Sequence, residues 1–248
     1  MKQGKTEHHF WDIRSAHYDK LFWVKDRHYL EAIIKHADLK KSHLVLDVGT
    51  GTGVVAKAIK KYIKHVLVID TSDSMLSKGI WKNISTIKWD IGESLFLDGL
   101  FHRVFARMVF HHILDNLDRA ILRCYDVLKP NGKIIVAEGV PPANDPDIIE
   151  WYTNMFKLKE RRRTFTPEKL AYFLEKNGFR NIKTNIYIMN KFSINNWLEN
   201  SGLPKKRQKQ IYQLHVSADK KIKRAYNMHI VNGECFVRTV NAIVTGKK

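Results

Sequence analysis

A short run of glycines after an apolar strand is the feature that most constrains the fold of this chain. Residues 43–48 are mostly apolar and β-branched, as in a strand buried on both faces, and residues 54–63 carry apolar side chains at helical spacing. Between them lies the turn Gly49-Thr50-Gly51-Thr52-Gly53. Such a turn between strand and helix is typical of nucleotide-binding α/β folds, because bare backbone approaches the ligand closely. The sequence therefore predicts a nucleotide-binding turn.

The residues around this turn narrow the choice of nucleotide. A dinucleotide fingerprint needs a small residue at position 54, where the chain has Val54. Asp47, two residues before the first glycine, would place a carboxylate beside a pyrophosphate, which like-charge repulsion disfavours. The same carboxylate favours a cationic ligand, such as S-adenosylmethionine with its sulfonium and ammonium groups. We therefore expect S-adenosylmethionine and not NAD.

Two further acids follow predicted strands at the spacing of a nucleotide site. Residues 65–70 predict a second strand that ends in Asp70, at the offset from the turn where a βαβ unit presents an acid to ribose hydroxyls. Residues 86–90 predict a third strand that ends in Asp90. Residues 46–53 also follow the pattern hydrophobic-Asp-hydrophobic-Gly-x-Gly-x-Gly. In these motifs the chain resembles the class I S-adenosylmethionine-dependent methyltransferases, and within them the small-molecule branch of methyltransferase types 11 and 25.

The resemblance implies which residues bind the cofactor. It assigns Asp90 to the adenine amino group, and it places Thr71 and Met75 near the ribose and the adenine face. It also implies that an N-terminal segment folds over the site, so that Tyr18 contacts the cofactor or the acceptor. The predicted cofactor-binding residues are Tyr18, Asp47, Gly49, Thr50, Gly51, Gly53, Asp70, Thr71, Met75, Asp90, Ile91 and Arg107.

The end of the fourth predicted strand, at residues 101–110, is expected to face the transferred methyl group, since ligands bind beyond the carboxyl ends of such strands. Arg107 is costly there unless paired, so we expect it to bind the methionine carboxylate or an anionic acceptor, or to pair with an acid such as Asp47. His111 and His112 are the catalytic candidates, as general bases. Because adjacent residues diverge, we expect at most one of them to face the site, and no metal to be bound there.

The segment beyond the fifth strand is expected to select the acceptor. Residues 128–133 match the family's turn before that strand, although the fourth strand begins Phe101-His102 where the family usually has Phe-Asp. A helix predicted over residues 148–160 precedes three arginines and resembles the acceptor-side wall of small-molecule methyltransferases. An arginine there either clamps a carboxylate or phosphate or faces solvent. The predicted acceptor-binding residues are Trp151, Tyr152, Arg161, Arg162 and Arg163.

The order of strands and helices predicts the fold class. Alternation of the two indicates an α/β fold with a mostly parallel sheet and helices on both faces. Together with the resemblance it implies a Rossmann-like, seven-stranded sheet in a single methyltransferase domain, residues 1–248. Residues 1–40 are predicted to form an N-terminal helical lid. Residues 193–230 are predicted to form a helical insertion before the last strand, which serves as a lid or a dimer surface.

The net charge of +18 at pH 7 favours anionic partners but does not choose between RNA and small anions. No signal-peptide pattern and no bilayer-length apolar run is found in the sequence, so we expect a cytoplasmic protein without membrane insertion. The predicted activity is methyl transfer from S-adenosylmethionine to an oxygen, nitrogen or carbon of a small, anionic acceptor. Two alternatives stay open, an RNA methyltransferase and a non-catalytic S-adenosylmethionine-binding subunit. The fourth strand lacks the Asn-Pro-Pro-aromatic motif of base-amino methylation, which disfavours the RNA alternative.

Overall fold

A central β-sheet organises the molecule. The computed structural model describes residues 11–79, 84–93 and 97–248. Its strands are β1 (Leu44–Val48), β2 (His65–Asp70), β3 (Ser85–Lys88), β4 (Phe101–Arg107), β5 (Leu128–Val140), β6 (Arg180–Ser193), β7 (His229–Val231) and β8 (Glu234–Lys247). The spatial order is β3-β2-β1-β4-β5-β8-β6, and the short β7 pairs with β8.

Helices connect these strands. They are α1 (Arg27–Lys35), α2 (Val54–Ile59), α3 (Asp73–Leu76), α4 (Leu117–Asp126), α5 (Pro146–Lys159), α6 (Pro167–Lys176), α7 (Ile194–Glu199), α8 (Lys205–Val216) and α9 (Lys220–Ala225). Asp145 and Thr166 cap the first turns of α5 and α6, and each of these helices begins with a proline, which has no N–H to leave unpaired.

The sheet is mostly parallel, as the alternating sequence pattern predicts. Strands β1 to β5 pair in parallel, whereas β8 runs antiparallel to both β5 and β6. The central strands bury apolar side chains on both faces, and these form two hydrophobic clusters on opposite sides of the sheet. The predicted α/β class and Rossmann-like architecture are confirmed. The short β7 adds one strand to the seven that the sequence predicts.

The boundaries of several elements differ from the sequence prediction for local reasons. The second strand is found as predicted, at residues 65–70. The third and fourth strands end earlier than predicted, at Lys88 and Arg107. The stretch after residue 205 forms two helices, because Asp219 caps the second of them by accepting a hydrogen bond from the Ile222 N–H at 2.8 Å. Helices α7, α8 and α9 therefore occupy the stretch between β6 and β7, where the insertion is predicted.

The N-terminal segment lies against the glycine turn. Residues 11–15 are helical, and 3₁₀ turns follow at Tyr18–Lys20 and Phe22–Lys25. The Thr52 hydroxyl donates to the Asp19 carboxylate at 2.7 Å, which joins this segment to the turn. The predicted lid also includes residues 1–10, which lie outside the described residues. Among the helices described here, none has the length and apolar character needed to span a membrane.

Candidate active site and cofactor turn

The three glycines of the turn adopt backbone conformations that other residues rarely take. Gly49, Gly51 and Gly53 have φ angles of +59°, +57° and +78°. A Cβ atom on Gly49 would lie 2.5 Å from Cγ2 of Val109, too close for any side chain. At Gly51 the nearest atom to a Cβ would be Cε1 of Tyr18, at 4.0 Å. The turn therefore presents bare backbone beneath the Tyr18 ring.

Asp47 is buried beneath this turn. The Thr50 hydroxyl donates to its carboxylate at 2.6 Å. Burial raises the pKa of Asp47 to about 7, although Thr50, the backbone of Ala56 and the positive charge of Arg107 oppose the rise. A buried carboxylate with so little charge compensation favours a cationic ligand nearby, as its position in the sequence predicts.

Asp70 at the end of β2 fastens the turn to the next loop. One carboxylate oxygen accepts the Gly51 N–H at 2.8 Å, and the other accepts the Ser72 N–H at 2.9 Å. Burial raises its pKa, and the backbone N–H groups of Ser72, Gly51 and Thr71 oppose this. Each carboxylate oxygen has two acceptor positions, so further capacity for ribose hydroxyls remains. The glycine turn and Asp70 thus fit an adenosine ligand with a cationic substituent.

Other predicted cofactor-binding residues follow the ends of β2 and β3. Met75 and Ile91 are buried, and Thr71 is exposed directly after β2. Asp90 is exposed beyond β3, where its carboxylate accepts the Gly92 N–H at 2.7 Å. These placements are compatible with the predicted adenine side, and the individual roles stay predictions.

Arg107 contacts the N-terminal segment, and its predicted role toward the cofactor or the acceptor stays a prediction. Its Nη2 donates to the backbone carbonyls of Trp23 and Val24, both at 3.1 Å. Its guanidinium carbon lies 5.2 Å from the ring centre of Trp23 and 5.1 Å from that of Tyr29. Arg107 therefore anchors the N-terminal segment above the sheet, and its positive charge also acts on Asp47.

Substituting Asp70 tests the predicted ribose contact. We expect Asp70→Ala to weaken S-adenosylhomocysteine binding at least about tenfold, because one lost hydrogen bond to a charged group is worth about 1.5 kcal/mol. Calorimetric titration measures the affinity. The control is Asp73→Ala, an exposed acid three residues further along that pairs with Lys88. Equal affinity of the Asp70 variant and the wild type would remove Asp70 from the binding site.

A cavity of about 120 Å³ lies beyond the ends of β4 and β5. The N-terminal segment, the 3₁₀ turn at Phe110–His112, α5, α7, α8 and the strands β6 and β8 all contribute side chains to its wall. Much of the lining is apolar or aromatic and includes Met155, Phe156, Phe192, Trp197 and Val237. Its charged and titratable side chains include Arg14, His111, His112, Lys159, Glu160 and Arg162.

Both histidines line this cavity, which corrects the expectation that they diverge. The 3₁₀ turn places them side by side, with ring centres 4.0 Å apart and ring planes at 43°. His112 also contacts the edge of Trp11, at 4.8 Å between ring centres. Burial lowers the pKa of both imidazoles well below the usual value, so both are neutral near pH 7.

Glu138, which the sequence interpretation missed, orients His111. Its Oε2 lies 2.6 Å from His111 Nδ1, while its Oε1 accepts the N–H groups of Val109 at 3.0 Å and His111 at 3.3 Å. Burial raises the pKa of Glu138 to about 7. With Nδ1 donating to this acid, the Nε2 atom of a neutral His111 is the proton acceptor. The sequence signal that could have identified Glu138 is its position as an acid directly after the apolar residues 134–137.

A buried cluster of three cations and one acid occupies the same cavity. Glu160 Oε2 lies 2.8 Å from Arg14 Nη1 and 2.5 Å from Lys159 Nζ, and its Oε1 lies 3.6 Å from Arg162 Nη1. Burial raises the pKa of Glu160, but the attraction of Lys159, Arg14, His112 and Arg162 outweighs it and holds the pKa well below its usual range. Burial lowers the pKa of Lys159 to about 7.

Two of the five predicted acceptor-binding residues line this cavity. Tyr152 lines the cavity and donates to the Gly139 carbonyl at 3.0 Å, and Arg162 packs over the Phe156 ring at 4.1 Å. Arg163 instead donates to the backbone carbonyls of Ile113 and Leu114. Arg161 is exposed, and Trp151 packs against His215 and Tyr226 outside the lining.

The two histidines and Glu160 bring one potential metal-ligand atom each within 4.8 Å of one another. The sequence analysis did not predict an acid beside the two histidines. However, Arg14 and Lys159 already contact the Glu160 carboxylate, so a divalent cation would meet two competing positive charges. The charge distribution therefore favours an anion at this end of the cavity.

Comparisons with known proteins agree with this geometry. A family model described as a methyltransferase domain matches residues 46–136. The uncharacterized methyltransferase YcgJ of Bacillus subtilis is 26% identical over 194 residues, covering 73% of this chain and 74% of its own. A demethylmenaquinone methyltransferase of Tropheryma whipplei is 24% identical over 188 residues, covering 65% of this chain and 76% of its own.

Solved structures share the fold. The crystal structure of YcgJ matches with a TM-score of 0.78 at 21% identity, covering 89% of this chain and 98% of that one. The phosphoethanolamine N-methyltransferase 2 of Haemonchus contortus, in complex with phosphomonomethylethanolamine and S-adenosylhomocysteine, matches with a TM-score of 0.58 at 20% identity, covering 89% of this chain and 52% of that one.

The glycine turn over a buried acid, the second acid at the end of β2 and the relatives all lead to one assignment. S-adenosylmethionine is the cofactor of this protein. Residues 46–136 match a methyltransferase domain, and the protein is an S-adenosylmethionine-dependent methyltransferase.

Proposed function

We propose that this enzyme methylates a small, anionic acceptor bound in the cavity between α5 and the N-terminal segment. The observation that carries the proposal is the cluster of Arg14, Lys159 and Arg162 around the carboxylate of Glu160. Among the described residues of this cluster, Arg14, Arg162 and Glu160 leave one net positive charge even when Lys159, whose pKa burial lowers to about 7, is neutral, and these side chains are buried. An acceptor carboxylate or phosphate would compensate that charge.

Arg162 is the best placed of these cations to bind the acceptor. Its side chain is only 6% exposed and lines the cavity. Its Nη2 atom is buried and has no hydrogen-bond partner among the described residues. A buried guanidinium N–H without an acceptor costs free energy, which an anionic ligand would recover.

The rest of the cavity supports an acceptor with an apolar body. Met155, Phe156, Phe192 and Trp197 all line it, and the rings of Phe156 and Trp197 lie against the cations Arg162 and Lys159. Two of the relatives are associated with compounds that contain one of these two parts, an anionic group or an apolar body. The Haemonchus enzyme is seen with a phosphorylated amine, and the Tropheryma enzyme is named for a quinone. We infer an acceptor that combines an anionic group with an apolar or aromatic part.

The chain's own groups supply alignment and a proton acceptor. When bound, S-adenosylmethionine supplies an activated methyl group, so the protein mainly needs to align the acceptor and exclude water. The buried cations orient the acceptor through its anionic group. Neutral His111, held by Glu138, accepts a proton from an acceptor atom that must lose one. In this proposal Glu138 is a positioning residue.

Labelled methyl transfer tests the acceptor class. The protein is incubated with S-adenosylmethionine carrying a tritiated methyl group and with a cell extract separated by size and then by anion exchange. We expect label in the small, anionic fraction. Label confined to RNA would support the RNA alternative instead, and tight cofactor binding without label in any fraction would favour the non-catalytic alternative.

Arg162→Met gives the matching residue-level prediction. We expect label in the anionic fraction to fall about tenfold, the equivalent of one charge-assisted hydrogen bond of about 1.5 kcal/mol. Affinity for S-adenosylhomocysteine should stay unchanged, because the cofactor turn is separate from the cation cluster. Arg161→Met is the matched comparison, since Arg161 is exposed. Equal labelling by the two variants contradicts the assignment of Arg162.

A further inference from the structure

Three large apolar side chains are exposed in the second 3₁₀ turn and in the β7–β8 hairpin. Phe22 in the second 3₁₀ turn is 73% exposed, and Ile230 and Val231 of β7 are each 51% exposed. These three residues are called the apolar rim below. An exposed apolar group of this size on an otherwise highly charged chain indicates a surface that contacts something.

Hydrogen bonds bring the members of the apolar rim together. The Phe22 N–H donates to the side chain of Asn196 at 3.2 Å, in the first turn of α7. The neighbouring Asn195 donates to the Gly233 carbonyl at 3.5 Å, and the Tyr212 hydroxyl donates to the same carbonyl at 3.0 Å. Gly233 lies in the tight turn between β7 and β8. The start of α7 therefore connects Phe22 with the β7–β8 hairpin.

Positive charge surrounds the apolar rim. Lys20 precedes Phe22 by two residues, Lys191 precedes the Ser193 cap of α7 by two, and Lys205 and Lys209 lie two turns and one turn before Tyr212 on α8. These four exposed lysines are called the basic collar below. In the part of the chain that the structure describes, none of them pairs with an acid. Residues 191–230 as a whole hold nine lysines and arginines but only two acids.

We propose that this face docks the enzyme onto an anionic lipid membrane surface. Apolar side chains insert into the headgroup region while lysines remain at the level of the lipid phosphates, and the two contributions add. The exposed hairpin tip can insert both of its aliphatic side chains. The active-site cavity lies close behind this face, because Trp23 follows Phe22, Trp197 follows Asn196, and both tryptophans line the cavity.

Charge and composition distinguish the membrane from other occupants. A single-stranded nucleic acid would need aromatic platforms for base stacking, whereas two of the three rim residues are aliphatic. A second copy of the chain would bring the two basic collars against each other, which like-charge repulsion disfavours. An anionic bilayer satisfies both the apolar rim and the basic collar.

Vesicle sedimentation of the full chain tests the proposal. We expect the wild type to sediment with vesicles of pure phosphatidylglycerol and not with vesicles of pure phosphatidylcholine. The triple variant Phe22→Ser, Ile230→Ser, Val231→Ser should partition onto phosphatidylglycerol at least about tenfold less, because three apolar side chains no longer insert. Replacing Lys205 and Lys209 with glutamate should also reduce binding and make the remaining binding less sensitive to salt.

A matched triple variant controls for the loss of exposed apolar surface. Leu122→Ser, Tyr172→Ser, Ile186→Ser removes side chains that are 45%, 58% and 51% exposed on α4, α6 and β6. It should sediment like the wild type. Unchanged S-adenosylhomocysteine affinity and unfolding temperature of the rim variant would show that its fold is intact.

Four outcomes would overturn the proposal. In the first, the wild type does not bind phosphatidylglycerol vesicles. In the second, the rim variant binds them as well as the wild type does, which would mean that charge alone drives binding. A third is a dimer of the wild type that the rim substitutions dissociate, which would assign the face to a second copy. The fourth is binding to polyuridylate that depends on the same three residues.

Discussion

Glu160→Gln is expected to lower the free energy of unfolding by about 3–5 kcal/mol, the cost of leaving buried charges uncompensated. The Glu160 side chain is only 4% exposed and contacts Arg14, Lys159 and Arg162. Glutamine has nearly the same shape, so the loss reports charge and not packing. Urea unfolding followed by circular dichroism measures it, and a loss below about 1 kcal/mol would contradict a closed, charged cluster.

The destabilisation should depend on pH in a defined direction. In the variant, Lys159 loses its nearest negative charge, and burial already lowers its pKa to about 7 in the wild type. The Lys159 pKa in the folded variant is therefore lower than in the folded wild type, and between these two values the folded variant binds fewer protons, so the stability difference shrinks as pH rises. We expect a smaller stability loss near pH 9 than near pH 6.

Two further variants separate the cluster from general effects. Glu199→Gln removes an exposed acid from α7 and should cost less than about 0.5 kcal/mol. Adding Lys159→Met to Glu160→Gln should recover part of the loss, since one of the unpaired cations is removed. If the double variant is no more stable than Glu160→Gln alone, the cations do not repel one another as the geometry indicates.

The cofactor turn could be predicted from the sequence because the residues that form it are close together along the chain. Asp47, the three glycines and Asp70 follow one another along a single strand-turn-helix-strand unit, and the turn requires glycine for reasons of backbone geometry. The predicted strand at residues 65–70 is found unchanged. Patterns of this kind hold within about thirty residues, the size of one βαβ unit.

The acceptor cavity could be predicted only in part from the sequence, because the residues that form it are far apart along the chain. Arg14 pairs with Glu160 across 146 residues of sequence, and no spacing rule connects them. The histidines were expected to diverge as in an extended strand, but β4 ends at Arg107 and a 3₁₀ turn brings both rings to one side. Arg163 resembles its neighbour Arg162 in sequence, yet it binds backbone carbonyls at Ile113 and Leu114.

His111→Asn is expected to lower the rate of acceptor methylation by about 100-fold, the lower range for loss of a general base. Affinity for S-adenosylhomocysteine should not change. Because only neutral imidazole accepts a proton, the wild-type rate should fall as pH drops through the folded-state pKa of His111. Burial holds that pKa well below its usual value, so activity should persist to lower pH than a free imidazole allows. The variant should lack this acidic limb.

Variants at His112 and Glu138 distinguish a base from a scaffold. His112→Asn should reduce the rate less than His111→Asn, because His112 contacts the Trp11 ring and has, among the described residues, no carboxylate partner as close as the 2.6 Å contact between His111 and Glu138. Glu138→Gln preserves the shape but not the charge, so it should lower the rate and also shift the acidic limb. The opposite order of the two histidine variants would transfer the base role to His112. Full rates in both would exclude an imidazole base and leave alignment of the acceptor by the buried cations as the main contribution of the protein.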